Sequence, residues 1–257
     1  KDFERCPRYR LLKGEGWVRR DETWTPNMLL GIAIGDGLSE CYRHWTDPNP
    51  IQYGMPVALQ RLQDGFVETP EWTLDGLSKL VKRGMEVGVE KTPVSSSAII
   101  LKVDESIGVC RPDLICRVES GRLEVWDTKV SLKGDPRYLP TRLAEYETDH
   151  QVWHHAWEVS QHYGETVAVS GVQQIVLTPR PILIPIRAEV TEERIAFWLQ
   201  DAERLWREMQ EEKDGVRPVL PRFSSCYGKY GQCPFHAFDH EFGGNPEKAS
   251  VYYMKGG

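Results

Sequence analysis

The chain has no run approaching the roughly 18–20 consecutive apolar residues that a membrane span requires, so a membrane protein is not expected. No positively charged, apolar, small-residue pattern of the secretory kind stands at its start. The first residue is Lys1 rather than Met, which leaves room for residues upstream. Cysteine is sparse, with 6 in 257 residues. In a chain this long and without a signal, that argues against a disulfide-stapled scaffold. There is no GxxxxGK[ST] phosphate loop, so ATP-driven strand separation would need a separate partner. An excess of basic charge is missing too, because the formal net charge is −6. A nonspecific basic nucleic-acid coat is therefore excluded, although a protein with a local basic groove and an acidic site is not. What remains is an ordinary globular composition, 40% hydrophobic and 27% charged. It predicts one large domain, or a core with an elaborated subdomain, with a substantial core either way, soluble and cytoplasmic.

The most informative stretch runs from Gly108 to Lys129. Leu114, Ile115, Cys116 and Val118 are strand formers, and Glu119-Ser120-Gly121-Arg122 is a turn signal in which Gly121 supplies a positive φ. Beyond it, Leu123, Val125, Asp127 and Lys129 alternate with Glu124, Trp126 and Thr128. Asp127 and Lys129 therefore share one face of a strand. A three-residue turn, Ser120 to Arg122, puts Asp113 beside that face, whereas a two- or four-residue turn puts it on the other unless a bulge intervenes. Two carboxylates and an amine converging at one end of a sheet can hold a hard divalent cation and activate a water beside it. The plainer alternative is a hairpin with solvated charges. It is disfavoured because Asp127 and Lys129 lie between Val125 and Val130 in a strand expected to be central, where unpaired charge is costly.

The pattern Asp113, then Asp127-Thr128-Lys129, then a helix holding Gln151, resembles the PD-(D/E)XK nuclease superfamily. Within it, the RecB-like branch is the best match; that branch includes AddB, CRISPR-associated exonucleases and phage recombination nucleases. Pro112 stands where the name has its proline. The resemblance implies an α/β core, a mixed central sheet flanked by helices, with an N-terminal helical elaboration and a cysteine-containing C-terminal segment. It implies hydrolysis of DNA phosphodiester bonds, in recombination, repair or defence and alongside other recombination, CRISPR or phage proteins. Asp113, Asp127 and the Thr128 carbonyl would hold Mg²⁺ or Mn²⁺. Lys129 would orient the attacking water, and Gln151 would contact the DNA backbone or the water network. Two departures stand out. A family Gly-x-x-x-His becomes Gly31-Ile32-Ala33-Ile34-Gly35, removing a ligand that Asp36 or Glu40 could replace. The family Gln-x-x-x-Tyr becomes Gln151 with His155. These losses support an alternative reading, a degenerate nuclease fold serving as a DNA-binding or scaffolding subunit. A restriction-type endonuclease is a third.

The rest of the chain divides into a helical part (1–95), a catalytic sheet and helix (96–190) and a helix with a cysteine-containing tail (191–257). Helices are predicted over 26–46, 71–90, 142–163 and 191–210, and strands over 97–103, 167–179 and 181–190. Residues 46–70 read as a proline-rich loop with helical pieces, and 131–141 as a loop near the reaction centre. Glu86 and Glu90 are candidates to face the metal. Thr191 is a predicted N-cap. Cys110 and Cys116 read as buried core thiols. Cys6, Cys226 and Cys233 resemble the terminal cysteines that clamp a [4Fe–4S] cluster in the iron–sulfur RecB-like branch, but Asp239 stands where the last cysteine is expected. Three readings stay open: a cluster with His236, Asp239 or His240 as fourth ligand; Zn²⁺ on Cys226, Cys233, His236 and His240; or plain thiols.

Overall fold

The computed structural model describes residues 17–19, 25–67, 69, 71–133, 149–178, 180–216, 227–228, 231–232, 246–249 and 253–255. The chain divides into two compact units, residues 24–196 and residues 1–23 with 197–257. In the larger unit three helices come first: α1 (Pro26–Arg43), α2 (Ile51–Gly65) and α3 (Leu74–Glu90). Local chemistry starts two of them. Thr25 caps α1, its hydroxyl accepting from the Met28 amide, with Pro26 at the first helical position; Thr73 caps α3 by accepting from Gly76. The predicted loop over 46–70 is corrected here, because α2 is a 15-residue helix that accommodates Pro56 in its second turn. Prolines within reach of a helix start mislead a reader who counts them only as breakers.

The sheet has five strands in the order β2 (Ile99–Val103), β3 (Leu114–Arg117), β4 (Leu123–Lys133), β5 (Val169–Thr178) and β6 (Ile182–Glu189). All neighbours are antiparallel except β4 and β5, which run parallel, joined by a crossover that includes helix α4 (His150–Tyr163). The helix predicted over 142–163 begins only at His150, where Asp149 caps it; residues 142–148 lie outside the described residues. The loop expected from 131 is corrected as well, since β4 continues to Lys133. β5 is buried along nearly its whole length, as a strand covered on both faces must be.

Alternation assigns the two faces. Gln173, Ile175 and Leu177 meet α1 and α3: Tyr42 of α1 donates to Gln173, and Gly84 and Gly88 of α3 lie against Leu177 and Ile175. Ser170 points the other way and donates to the Val152 carbonyl of α4 at 2.7 Å. The main core lies on the first face, where Leu30, Ile34 and Leu38 of α1 meet Leu77, Val81 and Met85 of α3. Cys110 and Cys116 are buried, free thiols, as expected, and burial pushes them up to about 11 and about 12.

Helices α1 and α2 approach backbone to backbone at Gly54. A Cβ there would sit 2.2 Å from the Gly37 carbonyl oxygen and 2.4 Å from the Cys41 sulfur. Gly54→Ala is expected to destabilise the protein by about 1–3 kcal/mol through overpacking, measurable as a lowered denaturant midpoint; an unchanged midpoint would contradict the close approach.

Helix α5 (Glu192–Lys213) runs from the first unit into the second. Thr191 caps it, accepting from the Arg194 amide at 3.3 Å, as predicted. None of its residues is fully buried. In the second unit, β1 (Trp17–Arg19) pairs with β9 (Tyr253–Lys255), β7 (Tyr227–Gly228) pairs with β8 (Gly231–Gln232), and α6 (Pro246–Ala249) is a single turn. Among the described residues no helix is long and apolar enough to cross a membrane.

Candidate active site

The hairpin β3–β4 closes through a three-residue turn, Glu119 to Gly121, with Val118 donating to the Arg122 carbonyl and Gly121 at φ +80°. Of the turn lengths left open, three residues is the one found, and the turn starts at Glu119 rather than Ser120. Leu114 therefore pairs with Trp126, and the next position outward sets Asp113 directly opposite Asp127 on the same face. β3 begins at Leu114, so Asp113 lies just outside the ladder. Its carboxylate takes the place a backbone carbonyl would have had: Asp113 Oδ2 accepts from the Thr128 amide at 2.5 Å. Within a strand, N–H and C=O of one residue leave on the same side, so the Thr128 carbonyl also faces the side where β3 has ended.

Asp127 is 6% exposed. Its Oδ1 accepts from Gln151 Nε2 at 3.2 Å, and its Oδ2 forms an ion pair with the Lys129 ammonium. That same Oδ2 is buried and receives no well-formed hydrogen bond. Helix α4 closes the site. Asp149 accepts from the Gln151 amide at 2.8 Å, fixing the first turn that aims Gln151 at Asp127. Asp127, Lys129, Asp149, Gln151, Val152, His155 and Val172 line one small cleft. Burial lowers the His155 imidazole to about 4, so it is neutral at physiological pH.

The structure thus brings Asp113, Asp127, Thr128, Lys129 and Gln151 together. Asp149 joins them; its signal, an Asx residue ahead of a helix, is masked in the sequence because the helical pattern extends further upstream. Other candidates stand apart. Asp36 is ion-paired with Arg61 at 3.0 Å, and Glu40 with Arg43 at 2.9 Å and His44 at 3.3 Å. Glu86 and Glu90 are exposed on α3. A Cβ on Gly35 would meet nothing within 4 Å. Cys6, Cys226, Cys233, His236, Asp239 and His240 lie outside the described residues.

Among the described residues no group of three or more His, Cys, Asp or Glu side chains is placed to hold a metal ion. The site offers two carboxylates and a carbonyl, an all-oxygen set. That chemistry fits a hard cation such as Mg²⁺, which keeps several waters and takes few protein ligands. The convergence of the two carboxylates is the observation that favours a cation here: after burial, the nearby Asp127 carboxylate is the largest influence raising Asp113.

Electrostatics agree. Burial, and next the Asp127 carboxylate, push Asp113 up to about 7, against smaller opposing pulls from the Thr128 amide and Lys129. The folded protein then holds a proton that the unfolded chain releases near pH 4, so stability falls as pH rises from about 4 to about 7. Without divalent metal, the melting temperature should decline across that window, and Asp113→Asn should flatten the decline. Identical profiles for the two proteins would refute the assignment.

No protein-family model matches the chain, and no curated protein does. Among solved structures, a protein from Eubacterium rectale provisionally named an exonuclease superposes with a TM-score of 0.50 at 15% identity, covering 91% of this chain and 85% of that one. A second, SSO0001, aligns over 89% of this chain and 91% of that one at 15% identity, with a TM-score of 0.29. At such identity the first likeness concerns the fold alone.

Proposed function

We propose that this chain is a divalent-metal-dependent nuclease of the PD-(D/E)XK type, hydrolysing phosphodiester bonds in DNA, with RecB-like exonuclease action the favoured form. One observation carries the reading: Asp113 lies across from Asp127, with Lys129 ion-paired on the same face and Gln151 holding the second carboxylate. The name of the Eubacterium rectale protein agrees with it.

Asp113, Asp127 and the Thr128 carbonyl would hold Mg²⁺ or Mn²⁺, which supplies a water of lowered pKa beside a polarised phosphate. Lys129 would orient that water and offset charge on the phosphate, a task suited to a compact ammonium with three donors. Gln151 keeps Asp127 in one orientation. Neutral His155, in the same cleft, adds no charge to compete with the cation.

Incubating the protein with end-labelled linear single- and double-stranded DNA, with Mn²⁺ and with EDTA, tests the proposal. Mn²⁺-dependent release of labelled nucleotides is expected, with covalently closed circular DNA resistant; cleavage of the circles would favour an endonuclease. A second reading, a DNA-binding or scaffolding subunit without turnover, draws on α1. Gly35 brings no side chain, and Asp36 and Glu40 are occupied by other partners. DNA retained without any Mn²⁺-dependent cleavage would favour it.

A further inference from the structure

Asp113 emerges from a short loop that begins at Asp104. Asp104 is the non-glycine residue with positive φ, +51°, among those described. An aspartate in this left-handed region is uncommon and persists only where its surroundings enforce it. Arg111 supplies that enforcement. Its Nη2 donates to Asp104 Oδ2 at 2.8 Å, and its Nε lies 2.7 Å from Oδ1 and donates to the Asp104 carbonyl at 3.1 Å. The guanidinium fork thus grips both the carboxylate and the backbone of one residue. From that fixed position the Asp104 amide donates to the Asp113 carbonyl at 3.0 Å. Between the two ends, Ile107 and Cys110 exchange a pair of backbone hydrogen bonds, 2.9 and 3.0 Å, and both side chains are buried.

The loop therefore closes on itself at the residue that supplies the first carboxylate. Asp113 lacks a ladder partner of its own, so its backbone is held from this side by Asp104. We propose that Arg111 and Asp104 are positioning residues for the site: they form a clasp that fixes the Asp113 backbone so that its carboxylate stays opposite Asp127. Neither side chain is needed for the core, since Arg111 is 63% exposed and Asp104 27%. The inference rests on the proposed metal site.

The sign of one measurement separates positioning from simple charge. Arg111 is a cation in the field of Asp113, a proposed ligand, so by field alone its removal would tighten cation binding. A clasp predicts the opposite. The test is calorimetric titration of Mn²⁺ into the unaltered protein, Arg111→Gln, Arg111→Lys and Asp104→Gly, with melting temperatures in EDTA. Outer groups that orient ligands commonly cost about 10–100-fold in metal affinity. Arg111→Gln is therefore expected to weaken Mn²⁺ binding about 10-fold. Arg111→Lys, which keeps the charge but lacks the fork, should weaken it nearly as much. Asp104→Gly removes the anchor and the conformational constraint together, and should also weaken binding. Melting in EDTA should stay close to that of the unaltered protein for the Arg111 variants. Unchanged or tighter Mn²⁺ binding by both Arg111 variants overturns the clasp and leaves the metal site standing. Lowered melting with unaltered affinity assigns a purely structural role and overturns it too. No Mn²⁺ binding by the unaltered protein overturns the metal site, and the clasp with it.

Discussion

Lys129→Ala should lower the rate of DNA cleavage by roughly 10²–10³-fold, the usual cost of deleting one preorganised group that stabilises developing charge, while DNA binding changes little. The side chain is 27% exposed and ion-paired to Asp127, so its loss opens no cavity in the core. It also removes a cation from beside the metal ligands. Mn²⁺ affinity should therefore hold or improve even as turnover collapses. This divergence between affinity and rate identifies a group that acts on water and phosphate rather than on the ligands. Single-turnover assays at saturating Mn²⁺ provide the measurement, and near-normal cleavage would refute the role. Lys129→Arg is not a safe control, because a planar fork cannot occupy the place of a compact ammonium.

A larger effect is expected at Asp127. Asp127→Asn keeps the shape and the Oδ1 acceptor for Gln151 but removes the negative charge. Outer-sphere groups alone cost about 10–100-fold in metal affinity, so losing a direct ligand should weaken Mn²⁺ binding by at least about 100-fold and abolish detectable cleavage. The fold should survive. With no metal, Asp127 and Asp113 repel each other across the hairpin; the amide relieves that repulsion and also gives up the ion pair with Lys129, two effects of opposite sign. Melting in EDTA should consequently stay close to that of the unaltered protein, whereas the increase that Mn²⁺ confers on the unaltered protein by binding the native state should disappear. A variant that still melts higher in Mn²⁺ would show that Asp127 is not a ligand.

Much of this arrangement is legible in the sequence because a strand has a period of two. Alternation from Leu123 to Lys129 puts Asp127 and Lys129 on one face, and a glycine in the turn limits how the hairpin can close. The exact start of the turn is not legible: Ser120–Arg122 and Glu119–Gly121 have equal length, and only the backbone pairing of Val118 with Arg122 decides between them. That shift by one residue is what brings Asp113 opposite Asp127. Helix α2 escapes the reading because Pro48, Pro50 and Pro56 look like breaks, although two precede the helix and the third sits near its start. Periodicity in α5 reveals an apolar stripe but not how fully it is covered, and none of its residues is fully buried. The clasp between Asp104 and Arg111 has no sequence signal, since it depends on a left-handed backbone conformation that a Val-Asp-Glu segment does not announce.

The bond from the Thr128 amide to the Asp113 carboxylate has a practical consequence. Ordinary strand amides are shielded from solvent deuterium by a neighbouring backbone, which no ligand alters. The Thr128 proton is shielded instead by a side chain that can gain a proton or turn toward a cation. Its exchange lifetime would therefore register occupancy and acidity at the reaction centre, as a built-in gauge that needs neither substrate nor label.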